Sequence, residues 1–504
     1  MKFRFAWIPI VSLLLLVGLI FAVQYGARSK TEMGNENLRL FCAAGLRIPV
    51  QEIIKDYEQE YNVTVETSFD GSGRLLSEIR AVDAGDIYIA ADLTYVDDAR
   101  AMGLVEEVAA VASQHPCLAV AKSSDLQNLT LEELVSSDLR VSLADSKSAA
   151  VSRVAKKLLA DTRFESQPIW DHLESNATVI RHTVNEVAND VKSGAADVGI
   201  IWDATADQYD DLDAITVPQF QADPKQIVAS VLTASQQPTR ALHFLRYLSS
   251  RDRGLKAFDR YGYQIVEGDS WAEVPEIRLF TGGLMHPAIQ ETIQNFEKRE
   301  GVQVLQTPNG CGILVSQIRA GEHPDVYFAC DTSFMTAVEE LFSKSQDLSG
   351  TEMVVVVSPD KAAELNVTSL DDLATKQLKI GLCDPEHSAL GDLSKRLLQR
   401  RGLWEAVQPK VLDWPSTADR LVESVVISGL DAAIVYRANT TRQRDKLTIL
   451  EIESPDAKAV QPIAVAKASE YRHLTQRLID QLRSTASRDA FVAMGFRWLG
   501  DSVP

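Results

Sequence analysis

At 504 residues, 45% hydrophobic and 24% charged, the chain is long enough for about two to four domains, each burying its own core. Lys and Arg total 51 against 70 Asp and Glu, a formal charge of −19. That argues against nucleic acid as a partner, because phosphate binding needs a basic face. An acidic surface still permits a small anion held by backbone N–H groups in a dry pocket.

Lys2 and Arg4 precede an apolar run, residues 5–23. Its length suffices to span a bilayer, whereas a cleaved signal peptide carries roughly 7–15 apolar residues. The expected reading is an uncleaved membrane anchor within residues 1–30 and a polar tether over 31–37. Cleavage after Ala22 is the alternative, and either exports the remainder.

From Leu38 the pattern is βα after βα. Strand 38–41 leads to a helix with Val50, Ile53, Ile54 and Tyr57 on one face, ending near Asn62. Strand 63–67, a Gly-Ser-Gly loop, a helix through Leu75, Leu76 and Ile79, buried strand 86–90 and a helix over 95–102 follow. This alternation predicts an open parallel sheet with ligands at the carboxyl ends of its strands. Near His115 a second α/β unit begins, with strands 118–121, 139–143 and 197–202 and a helix over 183–191. Segment 227–233 then returns to the first unit, describing two lobes joined by crossover strands.

Residues 268–275 carry turn formers and read as a linker, after which the plan restarts. Laying 41–92 over 280–331 without a gap gives 18 identities in 52 positions. Phe41 meets Phe280, Gly71-Ser-Gly73 meets Gly310-Cys-Gly312, and Asp86 and Asp92 meet Asp325 and Asp331. Strands 277–280, 325–329, 353–357, 378–382 and 432–436 complete the second copy. The chain is one domain written twice.

Loops 42–47, 70–73, 144–151 and 182–184 each follow a strand and precede a helix, so in a two-lobed fold they converge on the interlobe cleft. Helix N-termini facing one cavity supply unpaired N–H donors and positive dipole ends, enough to hold an oxyanion without Lys or Arg.

Leu40-Phe-Cys-Ala-Ala-Gly-Leu46, Ser68-Phe-Asp-Gly-Ser-Gly-Arg74, Asp86-Ile-Tyr-Ile-Ala-Ala-Asp92 and Gly199-Ile-Ile-Trp202 carry a resemblance, as do Gly381-Leu-Cys-Asp-Pro-Glu-His387 and Ala433-Ile-Val-Tyr436 in the second copy. The chain resembles two tandem copies of the periplasmic molybdate-binding protein family of ABC transporters. That implies two class II periplasmic-binding-protein-like domains, 38–267 and 276–504, each of two α/β lobes around a ligand cleft. The family holds its oxyanion with two Ser hydroxyls, backbone N–H groups and a Tyr hydroxyl. Carried over, the first Ser falls on Gly45, and in the second copy on Gly283 or Leu284, depending on a one-residue loop choice. The second Ser is Ser72 in the first copy and Cys311 in the second. The backbone donors fall near Val151 and Val184, then near Leu390 and Ala418. The Tyr is Trp202 in the first copy, whose indole N–H still donates, and Tyr436 in the second.

Each residue also has a structural reading. Ser72 suits a helix N-cap. Trp202 and Tyr436 end apolar strands and suit a core. The five cysteines show no C-x-x-C and read as small buried residues, Cys311 included, with no zinc site or disulfide framework expected. Asp384-Pro-Glu-His387 reads as a turn with Asp bonding its own backbone. Arg47, Arg74 and His286, near the loops, are either ligand contacts or solvated.

The expected function is a membrane-tethered solute-binding protein presenting a small oxyanion, molybdate- or tungstate-like, to an ABC permease. Expected partners are thus the solute, the permease and the cytoplasmic membrane. The alternative is a sensor or assembly module built on the duplicated domains. No hydrolase elbow, zincin helix or Walker loop occurs, so no catalytic residue, cofactor or metal is expected.

Overall fold

A computed structural model describes residues 37–501. The apolar run at 5–23 lies outside the described residues; among those described, no helix is long and apolar enough to cross a membrane. The chain forms two compact units. The first runs to Ser249 and resumes over Arg253–Val266; the second takes Ser250–Asp252 and everything from Glu267 on. Residues 268–275 therefore fall with the second unit. There the Asp269 carboxylate accepts from the backbone N–H groups of His473 and Leu474, both at 2.9 Å. It caps helix Arg472–Leu482 from a distant part of the chain.

In the first unit, strand Leu38–Ala43 lies between Val65–Asp70 and Ile87–Ala90 and parallel to both. Lys225–Leu232 returns antiparallel beside Ile87–Ala90, and Val105–Gln114 and Gln264–Ile265 complete a six-stranded sheet. The second lobe has five strands. Val141–Ala144 lies between Val179–Arg181 and Val198–Trp202, parallel to both, while Pro116–Ala121 and Leu212–Ile215 add antiparallel. The expected parallel sheet is thus mixed. The strands that carry the ligand loops are parallel to one another; the returning strand Lys225–Leu232 runs against them in the first sheet, and Pro116–Ala121 runs against Val198–Trp202 in the second. Strand Val105–Gln114 is one the sequence does not announce: Val-Glu-Glu-Val-Ala-Ala-Val-Ala-Ser-Gln lacks clean alternation, and the long pairing with Lys225–Leu232 holds it extended.

The second unit repeats the plan with one change. Gln346–Val357 is a single strand serving both lobes, pairing with Lys458–Val465 through its first half and with Ala432–Tyr436 through its second. In the first unit the same path breaks at His115, between Val105–Gln114 and Pro116–Ala121. The His115 N–H donates to Asp203 Oδ1 at 3.0 Å, and the Asp203 N–H to the His115 carbonyl at 2.9 Å. Pro116 has no N–H with which to continue a ladder. The corresponding pair in the second unit is Glu352 with Arg437, 3.9 Å apart.

The helices after the first strands show why the repeats fold alike. Arg47–Tyr61 buries Val50, Ile53, Ile54 and Tyr57, a stripe at helical spacing, and ends on Asn62 at φ 53°. His286–Glu300 buries Ile289, Ile293 and Phe296 and ends on Gly301 at φ 67°.

Candidate functional site

In the first unit the lobes meet around a small cavity lined mostly by backbone and small side chains. Gly45, Ser72, Val151, Val184 and Trp202, the five residues singled out from the sequence, all line it. Three helices, Ser72–Val82, Ala150–Leu158 and Val184–Lys192, bring their first turns to its wall. Among the described residues, the N–H groups of Ser72, Val151 and Val184 find no carbonyl acceptor. No Lys or Arg lines the cavity, and its one carboxylate, Asp70, is committed to the Gly71 N–H at 2.7 Å and to Arg74 Nε at 3.1 Å.

Ser72 is not a helix N-cap. Gly71 occupies the cap position, and Ser72 is the first helical residue, fully inside. Its hydroxyl oxygen accepts from the Ala91 N–H at 3.2 Å, and the residue lines the cavity. Gly45 has no space for a larger side chain: a Cβ there would lie 2.9 Å from Val184 Cγ1 and 3.1 Å from Thr205 Oγ1. The Gly45 carbonyl is fixed from behind by the Tyr263 hydroxyl at 2.8 Å and by Gln208 Nε2 at 3.3 Å.

The lobes touch through the Gly-Ser-Gly loop. The Gly73 N–H donates to the Ser148 carbonyl at 2.8 Å. A Cβ on Gly71 would lie 2.4 Å from that same oxygen, and one on Gly73 would lie 2.3 Å from the Lys147 carbonyl. Only glycines allow this approach. Gly310 and Gly312 stand at 2.4 and 2.3 Å, on the same measure, from the His387 and Glu386 carbonyls in the second unit.

The second cavity is lined by Gly283, Leu284, Cys311, Leu390, Ala418 and Tyr436, so both readings of the first loop and all the other expected positions come together. Its chemistry differs. Ser388, Ser416, Thr417, Asn309, Asp419 and Asn439 add polar groups. The Tyr436 hydroxyl is buried with no hydrogen-bond partner among the described residues, and burial pushes its pKa well up, so it stands as a neutral donor. Asn439 Nδ2 donates to Asp419 Oδ1 at 2.9 Å, and Asn439 Oδ1, an acceptor, is buried with no hydrogen-bond partner among the described residues. Tyr436 and Trp202 are therefore both buried aromatics and cavity walls.

Arg47 stacks on Phe69 at 4.3 Å, Arg74 pairs with Asp70, and His286 contacts Gln290 at 3.0 Å; none of the three lines either of these two cavities. At Asp384-Pro-Glu-His387 the Asp384 carboxylate accepts from the Glu386 N–H at 2.7 Å and contacts His387 Nδ1 at 3.0 Å, the turn expected. Asp419, Asn439 and Cys330, which line the second cleft, and Thr205 and Tyr263, which stand behind Gly45, carry no signal in the sequence, because packing between distant segments places each of them.

A family model described as bacterial extracellular solute-binding protein matches residues 38–264 and matches again over 277–497. The chain belongs to that family. It carries the fold twice in tandem, and each copy alone spans most of a relative. The molybdate-binding protein of Escherichia coli is 26% identical over 243 residues, 46% of this chain and 92% of that protein. A putative binding protein of Haemophilus influenzae is 25% identical over 228 residues, 45% and 90% of the two chains. A putative ABC transporter substrate-binding lipoprotein of Bacillus subtilis is 26% identical over 216 residues, 42% and 81%. Among solved structures, the periplasmic molybdate-binding protein of Azotobacter vinelandii is similar at 14% identity and a TM-score of 0.40, over 46% of this chain and 100% of that one.

Proposed function

We propose that the chain is an extracytoplasmic solute-binding protein of an ABC transporter, tethered by its N-terminal apolar run, and that its first cleft takes a small tetrahedral oxyanion of the molybdate and tungstate kind. One observation carries the reading: three helix N-termini and the Ser72 hydroxyl converge on one small cavity that no Lys or Arg enters. Neutral donors fixed by the fold select by geometry, since each ligand oxygen needs a donor already in place. Gly45, Ser72, Val151, Val184 and Trp202 would form the shell. Relatives described as molybdate-binding support the ligand class.

The second cleft, at Gly283, Cys311, Leu390, Ala418 and Tyr436, presents an acceptor at Asn439 and a carboxylate at Asp419 beside its donors. A fully ionised oxyanion has no proton for those acceptors. This cleft would favour a solute that carries a hydrogen-bond donor of its own.

The test is a thermal-shift and Trp-fluorescence titration with molybdate, tungstate, sulfate, phosphate and small hydroxylated acids. Ligand at 100 times its dissociation constant adds about 2.7 kcal/mol to the domain that binds it. A molybdate or tungstate shift abolished by Ser72→Ala and untouched by Tyr436→Phe is expected. No shift with any oxyanion would move the reading to the sensor or assembly module.

A further inference from the structure

In the second unit, three positions of the repeat differ together. Ser72 is replaced by Cys311, Ala91 by Cys330 and Ala43 by Gly282. Cys311 opens helix Cys311–Arg319 and Cys330 follows strand Val326–Phe328, and both line the second cavity. Their sulfurs lie 2.7 Å apart, and the Cys330 N–H donates to Cys311 Sγ at 3.1 Å, as the Ala91 N–H does to Ser72. Gly282 makes the space: a Cβ there would sit 2.1 Å from Cys330 Sγ and 3.1 Å from Cys311 Sγ. An alanine, as at position 43, would exclude the pair. Among the described residues, Cys42, Cys117 and Cys383 are buried and make no such contact with another cysteine.

We propose that Cys311 and Cys330 are a disulfide-forming pair built into the floor of the second cleft, closed when the protein is exported. Nothing in their sequence spacing marks them; the fold brings them together. Exported chains meet disulfide-bonded oxidants, which cytosolic proteins largely do not. Closure is thiol–disulfide exchange. One cysteine, as thiolate, attacks a sulfur of the oxidant, forming a mixed disulfide and expelling one thiol. The other cysteine then attacks the mixed disulfide, releasing the second thiol and leaving the bond between residues 311 and 330. Two protein thiols become one disulfide, and one oxidant disulfide becomes two thiols that take up both protons. The bond joins the start of a helix to the end of a neighbouring strand and removes both S–H donors from the cavity. The second cleft then binds differently in its oxidised and reduced forms, while the first, with Ser72 and Ala91, does not.

The experiment uses the full chain, exported, quenched in acid and treated with a maleimide under denaturing conditions without reductant. Reduction and a second, distinguishable alkylation follow, and each cysteine is read by peptide mass spectrometry. Cys42, Cys117 and Cys383 are expected to carry the maleimide, with Cys311 and Cys330 at least about tenfold less labelled. A non-reduced digest should contain the two peptides joined. In Cys330→Ala, Cys311 should become labelled like the other three. Cys311 and Cys330 labelled as fully as the rest in the exported chain would overturn closure on export. Because that outcome also depends on where the protein resides, the purified chain is incubated with oxidised glutathione as well. Failure of the pair to close there overturns the pairing itself, whereas closure there with open thiols in the cell overturns only the extracytoplasmic placement.

Discussion

The phenolic O–H of Tyr263 donates to the carbonyl oxygen of Gly45 at 2.8 Å, joining the last segment of the first unit to its first ligand loop. Both residues are buried, and Gln208 donates to each of the two oxygens. The equivalent of Tyr263 in the second copy is Phe496, which has no hydroxyl to offer. The two first loops are therefore held by different means.

Tyr263→Phe should loosen the Gly45 loop without unfolding the domain. The lost hydrogen bond is worth about 1 kcal/mol of stability, and oxyanion affinity of the first cleft should fall roughly fivefold. Calorimetric titration alongside thermal melting reads both. Unchanged affinity would show that Gln208 alone fixes the loop.

Gly73→Ala and Gly312→Ala should each oppose closure of their own domain. A Cβ at either position meets a backbone carbonyl, at 2.3 Å in both cases, that cannot rotate away. Ligand affinity of the affected cleft should drop by at least about tenfold, with the other cleft unaffected, because ligand binds the closed form best. Domain-resolved hydrogen exchange with and without ligand is the measurement.

Tyr436→Phe separates a binding role from a structural one. The hydroxyl is buried without a partner, so its removal should leave the empty protein as stable as before, or more stable by up to about 1 kcal/mol. Ligand affinity of the second cleft should fall roughly tenfold. A clear loss of melting temperature in the empty protein would show instead that the hydroxyl serves the core.

His243 should make the first unit acid-sensitive. Burial, aided by Arg246, lowers its pKa from 6.5 to about 3, so it is neutral beside the Tyr57 hydroxyl, 2.9 Å from Nδ1. An unfolded chain takes up the proton below pH 6.5 and the folded one does not. Its contribution is thus intact above pH 6.5 and is lost as pH falls through the window toward 3. By pH 5 the loss should reach about 2 kcal/mol. Urea titrations of wild type and His243→Gln across that window should show the slope flattened in the variant.

The sequence by itself determined the duplication, the two-lobed α/β plan and the loops that form each cleft. These are local or repeated signals: apolar strands followed by small residues and a helix start, at a constant offset between copies. All ten expected site positions line the two cavities for that reason. Sheet direction was less legible. Crossover strands such as Val105–Gln114 are defined by their partners rather than by their own pattern. Only the tertiary structure decided the rest. Ser72 turned out to be past the cap position, Thr205 stands close to where a side chain on Gly45 would go, and Tyr263 reaches back to Gly45 from the end of the unit. Cys330 meets Cys311 because Gly282, far along the chain, leaves a space the size of a sulfur atom. Such pairings depend on packing between distant segments, where a single Cβ decides which atoms can touch, and no spacing along the chain encodes that distance.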